Sequence, residues 1–246
     1  YYKKNFLFDP KSDQPFRLSR SKLELFLNCP RCFYLDRRLG ISRPSGPPFT
    51  LNSAVDKLLK KEFDLHRTQN TVHPLLKNYH LDLVPFNHEK INQWRENFVG
   101  VSFHHKPTNL IIFGAIDDLW TDRKDLYVVD YKSTSKNEEI TELNSDWHKA
   151  YKRQMEIYQW LLRHNDLKVS DTGYFVYCNG NTDKEAFDGR LEFDLTLISY
   201  HGNDSWVEPV ISQAHECLMS EKIPLANKNC EYCVYINKAG KIKRHS

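Results

Sequence analysis

With 246 residues, 40% of them hydrophobic, the chain can bury a sizeable core as one α/β domain or two small ones. No apolar run reaches the roughly 18 residues of a membrane span, and neither a repeat period, a Gly/Ser linker nor a signal-peptide pattern is visible; the expectation is a single cytoplasmic domain, 1–246, without membrane contact. A net charge of +3 and a pI near 8.4 are too mild to imply nucleic-acid binding from composition alone.

In chain order, Ser19 or Ser21 caps an expected helix through 23–27, with Glu24 as capping-box partner of Ser21 and an end near Asn28 and Pro30. After the Pro/Gly-rich break at 43–49, Thr50 or Asn52 opens a second helix, in which Val55, Leu58, Leu59 and Phe63 fall at helical spacing. A helix around 88–99 comes next, then two extended runs, 110–120 and 125–133. A third clear helix covers about 146–163, with Trp147, Tyr151, Gln154, Tyr158 and Leu161 on one face. Strands at 173–178 and 191–198, a helix at 210–220 and a basic Cys-containing tail complete the order. It indicates a mixed sheet flanked by helices.

The two runs are rich in Ile, Val, Leu, Tyr and Trp, and the polar stretch between them reads as a hairpin turn. A turn centred between Arg123 and Lys124 puts Asp117 opposite Asp130. Cross-strand neighbours have Cβ atoms roughly 4.5–5.5 Å apart, where like charges destabilise a sheet unless a cation sits between them. Alternation puts Asp130 and Lys132 on one face, with Phe113, Ala115, Leu119 and Val128 beside the acids. Ile112, Ile116, Trp120, Tyr127, Val129 and Tyr131 take the other, so these strands belong in the covered middle of a sheet. Asp118 reads as a strand-end acid.

Gly114-Ala115-Ile116-Asp117, then Asp130-Tyr131-Lys132, then Gln154 and Tyr158 form an ordered series that resembles the G-x-x-D, (D/E)-x-K and Q-x-x-x-Y motifs of the PD-(D/E)XK nucleases. The resemblance is greatest to their RecB-like branch, which includes the nuclease domains of RecB and AddB and CRISPR-associated RecB-like exonucleases. It covers about 19–233 and implies a restriction-endonuclease-like core at about 46–200, with segments 19–45 and 204–233 around it. It implies a DNA exonuclease using Mg²⁺ or Mn²⁺, held by Asp117, Asp130 and the Tyr131 carbonyl, with Lys132, Gln154 and Tyr158 as active-site groups and Tyr151 a weaker candidate. Lys132 would act as an electrostatic stabiliser, since two nearby carboxylates favour its charged form. DNA is the implied partner, with proteins of DNA repair, recombination or CRISPR adaptation. The branch usually supplies a His ligand from an earlier helix; here Asp56 stands in its place, either as a hard oxygen ligand suited to Mg²⁺ or as an acid on a solvated helix face. The second case favours an inactive nuclease-fold DNA-binding or scaffold module.

Cys29-x-x-Cys32 and Cys230-x-x-Cys233 are paired metal-ligand spacings. The resemblance implies a four-iron four-sulfur cluster joining the ends of the chain, while Zn²⁺ fits the spacing from first principles. Cys178 and Cys217 read as buried small hydrophobes. Arg17, Arg20 and Lys22, then Arg37, Arg38 and Arg43, then Lys238, Lys241, Lys243 and Arg244, are basic clusters that suit either a solvated surface or a phosphate backbone.

Overall fold

A computed structural model describes residues 7–136, 138 and 140–242; Lys243 and Arg244 of the basic tail lie outside the described residues. The elements run β1 (Phe16–Ser19), α1 (Arg20–Asn28), α2 (Pro30–Arg38), α3 (Thr50–Gln69), α4 (Pro74–Asn78), β2 (Val84–Pro85), α5 (Ile91–Trp94) and β3 (Val101–His105). They continue with β4 (Leu110–Gly114), β5 (Asp118–Thr121), β6 (Leu126–Thr134), α6 (Lys149–Arg163), β7 (Thr172–Gly180), β8 (Phe193–His201), α7 (Val207–Met219) and α8 (Glu231–Ile242). The fold is mixed α/β, and the chain divides into two compact units.

The first unit gathers 1–46, 102–113 and 205–246. Its three-stranded sheet has the order β1-β4-β3, with β1 parallel to β4, and α1, α2 and α7 pack on one another. Pro30, expected as a stop, is the first residue of α2, where its missing N–H costs nothing and its fixed φ suits a helix start. The capping box at Ser21 does not form: α1 begins after Ser19, whose Oγ meets the Ser21 Oγ at 2.9 Å, and Glu24 accepts instead from Asn28 Nδ2. Much of the expected basic surface is bound up internally. Lys22 and Arg37 pair with buried Asp36, Arg38 donates to the Phe8 carbonyl, and the Arg17 guanidinium lies 4.3 Å over the Phe113 ring.

The second unit, 47–101 and 114–204, is built on a five-stranded mixed sheet of order β2-β5-β6-β7-β8. The expected hairpin register is present: Asp118 pairs with Val129, Leu119 with Val128, Trp120 with Tyr127 and Thr121 with Leu126, around a turn in which Arg123 has φ 74°. The run 110–120, however, is not one strand. Its first half is β4 of the other sheet; the chain leaves that sheet at Gly114, the Ile116 amide turns to the Trp94 carbonyl at 3.1 Å, and β5 starts only at Asp118. Gly100, at φ +60°, lies so close to this break that a Cβ there would stand 2.3 Å from the Gly114 carbonyl oxygen. The helix expected at 88–99 shrinks to the single turn α5, because Phe98 and Gly100 both adopt positive φ and reverse the chain.

The central strand β6 is covered on both faces. One carries Val129 and Tyr131 into a core with Trp120, Val176 and Cys178, capped by Leu59 and Phe63 of α3. Leu58, expected in that stripe, is exposed. The other face, with Asp130, meets α6. Cys178 is the buried hydrophobe expected; Cys217 is only half-buried, its thiol 3.9 Å from the Pro30 carbonyl.

Candidate active site and metal centre

The break before β5 leaves Asp117 free of the ladder, beside β6. Its Oδ2 accepts the Tyr131 amide at 2.9 Å, and its own carbonyl accepts from Arg95 Nε at 3.0 Å. The ladder begins at Asp118 and Val129, so the expected cross-strand pairing of Asp117 with Asp130 is not part of it; Asp130, fully buried, accepts from Gln154 Nε2 of α6 at 2.8 Å and pairs with the Lys132 ammonium. Gln154 reaches the Tyr158 hydroxyl at 3.2 Å, which puts buried Tyr158 one shell behind Asp130. Lys132 Nζ lies 4.5 Å over the Tyr151 ring. Burial opposes its charge, but Asp130 and then Asp117 outweigh burial and raise its pKa, so Lys132 is held as a cation.

Asp56 comes to the same place from α3. The Lys60 ammonium, one helical turn on, sits 2.8 Å from Asp56 and 3.2 Å from Asp117. Burial and the Asp117 charge push the Asp56 carboxyl up even so. Lys60 itself is held protonated, the pull of Asp117 and Asp56 exceeding its own desolvation. The sequence signal for Lys60 was only an i,i+4 spacing from Asp56, which any solvated helix face can show.

Beneath these groups lies a network absent from the sequence reading. Asp118, fully buried, accepts from Arg67 and from the Tyr131 hydroxyl at 2.8 Å and forms an ion pair with Arg95 at 2.9 Å. Asp64 bridges the two arginines, 2.9 Å from each, and its pKa is lowered by Arg67 and Arg95 despite desolvation. This network ties α3 to β5 and fixes the backbone that presents Asp117.

In the first unit, Cys29, Cys32, Cys230 and Cys233 converge, all four sulfurs within 4.8 Å of one another and all four residues buried. Their separations exclude disulfides, whose sulfurs stand about 2 Å apart. Burial raises the Cys29 thiol, but the Cys32 and Asn227 backbone amides and neighbouring thiols draw it down to about 7. Among the described residues this is the group of three or more potential ligands close enough to share an ion; in the second unit Lys60 bridges Asp56 and Asp117, and Lys132 pairs with Asp130.

No curated protein matches the chain. A family model, described as the PD-(D/E)XK nuclease superfamily, matches residues 50–237, about three quarters of the length. This span includes Asp56, Asp117, Asp130, Lys132, Gln154 and Tyr158, and the chain belongs to the PD-(D/E)XK nuclease superfamily.

Proposed function

We propose that the protein is a Mg²⁺- or Mn²⁺-dependent deoxyribonuclease, an exonuclease of the RecB-like branch acting as one domain over 1–246. The supporting observation is the Lys60 ammonium between Asp56 and Asp117: a positive charge already bridges the two acids at 2.8 and 3.2 Å. The donor set suits a hard divalent ion, with Asp56, Asp117, Asp130 and the Tyr131 carbonyl as oxygen ligands. Such an ion, when bound, supplies Lewis acidity and lowers the pKa of the attacking water. Asp130 is oriented by its ion pair with Lys132 and its hydrogen bond from Gln154. Lys132, held as a cation in a buried setting, offsets negative charge developing at phosphate. Gln154 contacts the reacting centre, and Tyr158 positions Gln154 through its hydroxyl.

DNA is the substrate in this reading, with proteins of repair, recombination or CRISPR adaptation as partners. The cysteine group holds a structural metal, a four-iron four-sulfur cluster or Zn²⁺. A second reading, an inactive nuclease-fold DNA-binding or scaffold module, draws on the same Lys60, whose ammonium fills the space a metal needs. End-labelled single- and double-stranded DNA and closed circular DNA, incubated with Mg²⁺ or Mn²⁺, separate the two. The nuclease reading expects degradation from labelled ends, circles left intact, and a loss on the order of 100-fold in Lys132→Ala. Cutting of circles would replace exonuclease with endonuclease. No cleavage of DNA or RNA in either ion, with the cysteine metal intact, would favour the scaffold.

A further inference from the structure

The iron–sulfur cluster implied by the RecB-like resemblance does not fit the cysteine geometry. Cys32 Sγ stands 3.6 Å from both Cys230 Sγ and Cys233 Sγ, and Cys29 Sγ is 3.9 Å from Cys233 Sγ. Thiolates sharing one tetrahedral Zn²⁺ at about 2.3 Å lie roughly 3.8 Å apart, the edge of that tetrahedron. A cubane gives each thiolate its own iron, so the thiolate tetrahedron grows by the size of the iron core, to roughly 6 Å on an edge. The upper bound of 4.8 Å for all four sulfurs leaves room for one ion and not for four.

The local backbone is built the same way on both sides. Cys29 immediately precedes α2 and its carbonyl accepts the Phe33 amide at 3.1 Å; Cys230 immediately precedes α8 and its carbonyl accepts the Val234 amide at 2.9 Å. Each C-x-x-C pair therefore straddles the start of a helix, where the positive end of the helix dipole favours thiolate. Four thiolates and one Zn²⁺ leave a net charge of two minus, which calls for a compensating cation. Arg43 supplies one: its Nη2 donates to Cys230 Sγ at 3.3 Å while its guanidinium lies 4.6 Å over the Tyr232 ring, two residues along from Cys230.

We propose that Cys29, Cys32, Cys230 and Cys233 hold a single structural Zn²⁺, and that Arg43 is the cation that steadies it. The proposal rests on reading these cysteines as a metal centre and not on nuclease activity. Full-length protein expressed with both iron and zinc available and purified without oxygen is assayed for zinc, iron and inorganic sulfide. One zinc per chain with neither iron nor sulfide is expected. Replacement by Co²⁺ should give thiolate-to-cobalt charge-transfer bands and the visible spectrum of tetrahedral cobalt. Arg43→Ala should retain zinc but release it to a chelator about tenfold faster, with Arg43→Lys in between.

Stoichiometric iron and sulfide would overturn the zinc assignment while leaving a metal centre. Four freely titratable thiols and no metal in folded protein would remove the centre itself, and would leave the nuclease reading untouched. Unchanged release from Arg43→Ala would remove the role of Arg43. Cys32→Ser should lose zinc; if that variant does not fold, the cobalt spectrum of the unaltered chain still decides the ligand set.

Discussion

Asp117 shows how much of the chemistry is decided by single contacts. One oxygen is held by the Tyr131 amide and the other faces Lys60, which also pairs with Asp56. An ammonium and a divalent ion compete for the same oxygens, so Lys60→Met should tighten Mg²⁺ binding by roughly fivefold, on the order of 1 kcal/mol, while Asp56→Ala weakens it. Calorimetric Mg²⁺ titration checks both, and weaker binding in Lys60→Met would make Lys60 part of the centre. A second residue-scale effect follows from Asp36. Burial raises its pKa, but Arg37, Lys22 and Ser42 more than offset this and hold it below the ordinary carboxylate value. Its contribution to stability is therefore fully present above about pH 4 and is lost as pH falls through the lower folded value. Urea midpoints measured from pH 5 down should drop less steeply in Asp36→Asn. That Asp130 and Lys132 share a face of β6 was legible from strand alternation; the place of Asp117 was not, because the chain joins the ladder only at Asp118. Asp118 and Lys60 were not, since neighbouring acids and an i,i+4 pair look alike whether solvated or buried.

Elements were legible where one local signal governed them. The hairpin register followed from its turn and α6 from its apolar period, although residues 146–148, expected as the start of that helix, form a 3₁₀ turn before it. The passage from β4 to β5 was hidden because apolar alternation continues while the chain moves from one sheet to another. α2 was hidden behind Pro30 and α8 behind its lack of an apolar stripe. What secures α3 to β5 is the buried Asp118 with Arg67 and Arg95, a long-range arrangement with no local signature. Removing the charge of Asp118 leaves two buried guanidinium groups short of a partner, so Asp118→Asn should cost about 3–5 kcal/mol. Urea unfolding measures this. Arg67→Ala combined with Asp118→Ala should be less than additive, because both remove the same pair.

For the molecule as a whole, the first unit is assembled from three separate stretches of sequence, and the chain passes between the units four times, at 46/47, 101/102, 113/114 and 204/205. Its pieces are joined in sequence only through the second unit. A metal bridging Cys32 and Cys233 closes a span of 201 residues, for which the loop-entropy gain is roughly 5 kcal/mol as an upper figure. Because metal affinity for the folded site becomes folding free energy, stripping the metal removes that gain and the binding energy together. The first unit then faces the full cost of closing its segments, and it can meet that cost only while the second unit holds their ends. The two should therefore unfold as one, and chelation should lower a single calorimetric transition as a whole, with amides of both sheets losing exchange protection together. Two transitions, only the lower of them sensitive to the chelator, would show instead that the second unit folds by itself and that the cysteine centre stabilises the first unit alone.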